Sequence, residues 1–139
     1  MATDTWSVDG FVKVDLTPNS GHVNCHSIDT GLTSTGSTAA GALALVSSIN
    51  IVGTVAASTG VRLPAVVAPG ALVDVINNSA GTITLSVYPP TGGKINGGST
   101  DAADASAVAA PSSGVPGKQR YVQDGSLTGG VPNYLRIGT

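Results

Sequence analysis

Val61–Gly98 reads VRLPAVVAPGALVDVINNSAGTITLSVYPPTGGKINGG, and this stretch decides the fold class. Val61–Leu63 is a short strand ended by Pro64. Ala68-Pro69-Gly70-Ala71 places proline before glycine, the preference of a type II turn. Leu72–Ile76 is an apolar run broken only by Asp74. Asn77-Asn78-Ser79-Ala80-Gly81 follows as a hairpin loop, because Asn and Gly tolerate positive φ. Thr82–Tyr88 alternates, with Ile83, Leu85 and Val87 on one face and Thr82, Thr84, Ser86 and Tyr88 on the other. Pro89-Pro90 stops the strand, since proline cannot donate to a ladder. The stretch therefore reads as strand, turn, strand, turn, strand: a β-meander with no charge between Arg62 and Lys94 except Asp74. It holds no arrangement of groups that does chemistry, which suits a building block better than an enzyme.

Upstream, Thr5–Leu16 carries a strand signal, with Phe11, Lys13 and Asp15 on one face and Val12, Val14 and Leu16 on the other. Pro18-Asn19-Ser20-Gly21 ends it as a turn. A further short strand is expected near Ser27–Leu32, followed by a loop over Thr33–Thr38. Ala39–Ile49 is open between a short helix and a strand: Ala39, Ala42, Leu43 and Val46 have helical spacing, while Gly41 and the short length oppose it. Ile51–Ala57 is a strand and Ser58-Thr59-Gly60 a turn.

Downstream, Lys94-Ile95-Asn96-Gly97-Gly98 is a tight corner with Ile95 as an apolar plug. Ser99–Gly117 is loop, with one candidate strand at Ser106–Ala109. Lys118–Gln123 and Asn133–Ile137 are closing strands, and Asp124-Gly125 starts the loop between them. No internal repeat of period 20–50 is visible. Eight to ten short strands at near-regular spacing predict an all-β fold, a β-sandwich or jelly-roll-like barrel. At 139 residues the chain is one domain, residues 1–139, with 1–20 an N-terminal arm or strand. It reads as complete from Met1.

Composition narrows the function. Charged residues make up 10% and aromatics 4%, against about 25% charged in an ordinary domain. All eight acidic residues are Asp, and Asp favours caps and turns where Glu favours helices. Ala and Val supply most of the apolar content, and small side chains bury little area each, at roughly 25 cal/mol per Å². A thin core under a poorly charged surface favours burying that surface against copies of the same chain. The net charge of −2 and scattered basic residues argue against nucleic-acid binding. No run of about 18 apolar residues exists to span a membrane as a helix. The start, MATDTWSVDG, lacks a signal-peptide pattern, and one cysteine excludes an internal disulfide. Both fit synthesis in a cytoplasm.

No grouping of residues converges on a site of chemistry. His22, Cys25 and His26, with Asp29, are the one cluster of soft ligands, but the spacing matches no strong zinc pattern and reads better as a polar loop. No G-x-S-x-G elbow and no G-x-x-x-x-G-K-[ST] loop occurs. Asp101 and Asp104 are close enough in sequence to suggest a glycosidase pair, but read as solvated loop acids. Asn77-Asn78-Ser79 matches a glycosylation acceptor and reads as a turn. Tyr88, Tyr121 and Tyr134 suit packing better than a sugar-stacking platform. No catalytic, cofactor-binding or metal residue is therefore expected. Trp6 and Phe11, the large aromatics other than tyrosine, both fall in the first eleven residues. As a core strand or as an arm reaching a neighbour, this segment offers Trp6, Val8, Phe11 and Val12 for partner binding.

Val61-Arg62-Leu63-Pro64, Pro69-Gly70, Val75-Ile76-Asn77-Asn78, Leu85-Ser86-Val87-Tyr88-Pro89 and Ile95-Asn96-Gly97, in that order, resemble a pattern of small β-structured virion proteins of tailed bacteriophages, namely head decoration proteins, head fibres and tail-fibre modules. The resemblance covers Ile51–Gly98. It implies a sandwich or jelly-roll-like homotrimer without catalysis. The expected function is capsid decoration: a cement protein that binds the major capsid protein on the outer surface of a phage head and stabilises the shell. The alternative is a head-fibre or tail-fibre tip that binds a host receptor or glycan.

Overall fold

The computed structural model describes residues 27–138 and the backbone of two N-terminal strands, β1 (Thr5–Val8) and β2 (Val12–Asp15). These two pair antiparallel as a hairpin, with Trp6 opposite Val14 and Val8 opposite Val12. The N-terminal segment is thus two strands rather than the one extended strand expected over Thr5–Leu16. Eight strands follow: β3 (Ile28–Thr33), β4 (Leu43–Ala44), β5 (Ile49–Thr54), β6 (Gly60–Arg62), β7 (Leu72–Asn77), β8 (Ser86–Tyr88), β9 (Gly117–Thr128) and β10 (Val131–Ile137). The chain is strand-rich, with no helix among the described residues.

The strands form a five-stranded sheet of order β10-β9-β7-β5-β3 and a three-stranded sheet of order β4-β6-β8. From β3 to β8 the chain alternates between them, so that it winds through three turns. β3, β5 and β7 pair parallel in the larger sheet, and β4, β6 and β8 pair parallel in the smaller. β9 then returns antiparallel along β7, and β10 along β9. This corrects the meander. Strands adjacent in sequence over Val61–Tyr88 lie in different sheets, whereas a meander pairs them. The jelly-roll-like barrel is not formed either: a jelly roll is built of antiparallel Greek keys, and the larger sheet is open, with β3 and β10 at its edges. The winding leaves no fixed period in the sequence. Paired residues step from Ile28 to Ile49 to Asp74 in one sheet and from Leu43 to Val61 to Val87 in the other, unequally in each.

Both sheets contribute to one core. Val52, Val73, Val75, Tyr121 and Tyr134 enter it from the larger sheet, Val61 and Val87 from the smaller, and Leu45, Leu63, Leu85, Ile95 and Val108 from the connections. Leu85 and Val87 are fully buried as their alternation predicts, but Ile83 is exposed and precedes the strand. Close approach between β6 and β8 requires glycine at Gly60: a Cβ there would lie 2.7 Å from the Ser86 carbonyl oxygen and from the Tyr88 ring.

Buried polar groups explain why two expected turns behave differently. Asn77 is fully buried. Its amide donates to the carbonyls of Ile83 and Ala109 at 3.0 and 3.2 Å, and its Oδ1 accepts from Ser79 Oγ at 2.8 Å and Ser79 N at 3.2 Å. These bonds fold Asn77–Ile83 into a crossing from one sheet to the other, not a hairpin loop. Asp124-Gly125 lies inside β9, and the turn to β10 falls instead at Gly129-Gly130, both at positive φ. Residues 39–49 form neither the helix nor a full strand. Gly41 N and Ala42 N both donate to Thr38 O, making a single turn that leads into the two-residue β4. At Ser106–Ala109 only Val108 pairs, in an isolated bridge to Leu85.

Candidate interaction surface

Strand alternation gives the larger sheet two faces. Along β7, Val73, Val75 and Asn77 point into the core, leaving Leu72, Asp74 and Ile76 on the outer face. Along β9, Tyr121 and Gln123 point inward and Lys118, Arg120 and Val122 outward. Register then assembles the outer face in rows. One row runs Ile28, Ile49, Asp74, Arg120, Ile137 across all five strands. Leu72, Val122 and Leu135 make a second row, and Ile51, Ile76 and Lys118 a third. Eight of these eleven residues are aliphatic. Ile28 is 61% exposed, and Leu72, Leu135 and Ile137 about 40% each.

One ion pair crosses the middle of this face. Arg120 Nε and Nη2 donate to Asp74 Oδ1 and Oδ2 at 2.6 and 2.7 Å, a bidentate fork. The Asp74 carboxylate holds the Arg120 guanidinium above its ordinary range, first through these hydrogen bonds and then through its charge. The pair cancels its own charge, so the face is close to neutral apart from Lys118. Beside it runs a groove of ≈ 360 Å³ lined by Ile49, Asp74, Ile76, Lys118, Gln119, Arg120, Ile137 and Gly138.

The sheet's edges differ. β10 is covered by the Lys94–Asn96 corner: Tyr134 N donates to Lys94 O, Asn96 N to Tyr134 O, and Arg136 N to Asn96 Oδ1. Ile95 plugs this corner, buried as its sequence reading anticipates. β3, at the opposite edge, has an irregular register between Asp29 and Thr33, where Gly31 takes a φ of 69°. Such bulged edges resist indiscriminate strand pairing.

The groups that suggested chemistry do not converge. Asp104 is not a solvated loop acid. It is buried, and its carboxylate accepts from Tyr121 Oη at 3.0 Å, Arg136 Nη1 at 2.9 Å and Ser106 N at 3.2 Å. Asp101 stays exposed and accepts from Gly92 N at 2.6 Å. The two are therefore not a carboxylate pair flanking a substrate. Tyr121 and Tyr134 are fully buried, Tyr134 donating to Pro64 O at 2.8 Å, and so cannot form a stacking platform with Tyr88. Burial raises both phenols well above their ordinary range, and the Asp104 carboxylate adds to this at Tyr121.

A second cleft, of ≈ 440 Å³, lies between Ser37–Ala40, Tyr88, Thr91 and Asp101–Ala103. Tyr88 Oη donates across it to Ser37 O at 2.8 Å. Among the described residues no three His, Cys, Asp or Glu side chains are grouped to hold a metal ion. His22, Cys25 and His26 lie outside the described residues, as does Phe11. Trp6, Val8 and Val12 lie in the N-terminal hairpin. Among the described residues no helix is long and apolar enough to cross a membrane.

The outer face of the larger sheet was legible in part. Leu72–Ile76 has Leu and Ile on one side and Val on the other around Asp74, and a strand apolar on both sides belongs to a sheet covered on both sides. Comparison adds nothing to this geometry: no family model, curated protein or solved structure matches the chain.

Proposed function

We propose that this chain is a structural virion protein, a capsid decoration protein that binds the outer surface of a phage head as a homotrimer. The single observation that carries its structural, self-associating part is the uncovered aliphatic face of the larger sheet. Three of the five strands there are parallel, and parallel sheets are stable with both faces covered. Contiguous exposed aliphatic faces are often interaction surfaces, which supports this reading. The assignment to a phage head rests on the resemblance over Ile51–Gly98. Two sheets enclosing one core suit the sandwich form of that expectation.

In this reading the protein has no catalytic role and takes no cofactor, metal, nucleic acid or membrane. It is made in the bacterial cytoplasm and ends on the capsid. Its partners are its own copies and the major capsid protein, and Trp6, Val8, Phe11 and Val12 belong to the partner-binding segment. It stabilises the shell by binding the assembled form alone, and its many copies act together. Co-sedimentation with purified empty heads tests this. Saturable binding that raises the temperature at which heads open is expected. No binding, with trimers still formed, overturns the capsid assignment.

The second reading is a fibre-tip module that binds a host glycan. The cleft beside Tyr88, with the Thr91 hydroxyl and the Asp101 carboxylate on its wall, favours it. Retention on host-cell envelopes but not on heads would decide for this alternative.

A further inference from the structure

Charge on the outer face of the larger sheet is arranged end to end. The outward positions of β9 run Lys118, Arg120, Val122, Asp124. Arg120 is neutralised within the sheet by its fork to Asp74. Lys118 and Asp124 have no ion-pair partner among the described residues. They stand at opposite ends of the face, with the rows of Arg120 and Val122 between them. Six residues of strand separate them, about 20 Å at the usual rise per residue, so they do not reach each other within one chain. The face therefore has a cationic end, an aliphatic middle that is neutral in sum, and an anionic end.

Both charges are placed to meet a partner. Asp124 is exposed, and its Oδ1 accepts from Ser126 N and Ser126 Oγ, each at 2.7 Å. These bonds hold the carboxylate in place and leave Oδ2 without a hydrogen bond among the described residues. Lys118 is the register partner of Ile76 and lines the groove with it. A lysine stem covers apolar surface while its ammonium stays outward. A surface that covers this face must bring the opposite charge to each end, because an unpaired charge taken out of water is strongly disfavoured.

We infer that Lys118 of one copy pairs with Asp124 of the next, so that the copies join head to tail across this face. The inference rests on the trimeric reading above. Charge decides the direction of the contact. Laying Lys118 on Lys118, or Asp124 on Asp124, sets like charges together, and such juxtaposition is heavily penalised at an interface. A head-to-tail contact sets each cationic end against an anionic end. Three copies close into a ring only through two different surfaces that fit each other, and the two ends of this one face are such surfaces. Each copy turns its Lys118 end to one neighbour and its Asp124 end to the other. Attraction between exposed charges is weak, so the aliphatic rows hold the copies together. The charge pair selects the direction and register in which those rows meet.

Charge reversal in the full chain tests this by sedimentation. The native protein is compared with Lys118→Glu, Asp124→Lys and the variant carrying both. The native protein and the double variant should be trimers, and each single variant a monomer, all with the same far-ultraviolet spectrum. Because the two positions lie about 20 Å apart along one strand, recovery in the double variant arises between chains. Asp124→Lys also removes the acceptor of the Ser126 hydrogen bonds. If that variant unfolds, Asp124→Asn, which keeps an acceptor there, takes its place and should restore the trimer of Lys118→Glu by removing the opposing charge. Native trimers whose Lys118→Glu variant stays trimeric, or stays monomeric in both double variants, overturn the pairing and leave the trimeric reading intact. A native monomer overturns both.

Discussion

Tyr121 donates its phenolic hydrogen to Asp104 across 3.0 Å inside the core, linking the central part of β9 to a connection that sequence alone would leave in solvent. Arg136 completes the arrangement from β10, with its side chain 23% exposed. The three groups tie the returning strands to the loop that follows β8. Asp104 N also donates to Val87 O, so that loop is fixed to the smaller sheet as well.

Asp104→Ala should therefore be costly. It leaves the Tyr121 hydroxyl and the Arg136 guanidinium without their carboxylate. Breaking a buried ion pair costs about 3–5 kcal/mol, and partial solvent access to Arg136 favours the lower end. Asp101→Ala, which removes an exposed acceptor of one backbone hydrogen bond, should cost about 1 kcal/mol or less. Urea denaturation of the two variants checks the contrast. Equal losses would mean that the Asp104 cluster contributes nothing particular.

Alkaline stability follows from the two buried phenols. The folded protein holds Tyr121 and Tyr134 neutral above the ordinary tyrosine range, while the unfolded chain ionises near pH 10. A folded pKa raised above the unfolded one gives stability that is present below about pH 10 and lost as pH rises beyond it. Absorbance at tyrosinate wavelengths should show these two residues ionising together with unfolding. Smooth ionisation with the fold retained would contradict their burial.

Leu85 and Thr84 test the core directly. Leu85 is fully buried and exchanges two backbone hydrogen bonds with Val108, whereas Thr84 is exposed. Leu85→Ala should cost about 2–5 kcal/mol, and Thr84→Ala should stay within about 0.5 kcal/mol. Thermal or chemical denaturation reads both.

Much of the fold was legible residue by residue, and the physical limit is clear. An apolar run marks β7 and alternation marks β8, because a two-residue period survives wherever one face is buried, and Lys118–Gln123 and Asn133–Ile137 read as strands that fall within β9 and β10. Pairing was not legible. The run from Leu72 to Tyr88 carries the signals of a hairpin, yet burial of Asn77 and its bonds to Ile83 and Ala109 send the chain to the other sheet. Local sequence records the turn but not the sheet that the next strand joins. The burial of Asp104 is hidden from local sequence for the same reason. Its Ala- and Ser-rich surroundings look like solvent-exposed loop, and its partners Tyr121 and Arg136 lie far along the chain. The aliphatic outer face could be suspected from Leu72–Ile76 alone, but its extent depends on register across five strands.

A metal dependence would place chemistry in His22, Cys25 and His26. Chelator should leave the melting temperature unchanged. A fall of several degrees, restored by zinc, would assign those residues a structural metal instead.

The central claim is that the aliphatic face of the larger sheet is buried between copies of the chain. Sedimentation velocity of the purified full-length protein at micromolar concentration tests it most directly, alongside an Ile76→Lys variant that places a second ammonium beside Lys118. The account predicts a trimer for the native chain, and for the variant a monomer with an unchanged far-ultraviolet spectrum. A stable, well-folded native monomer, or a variant that remains trimeric, would contradict it.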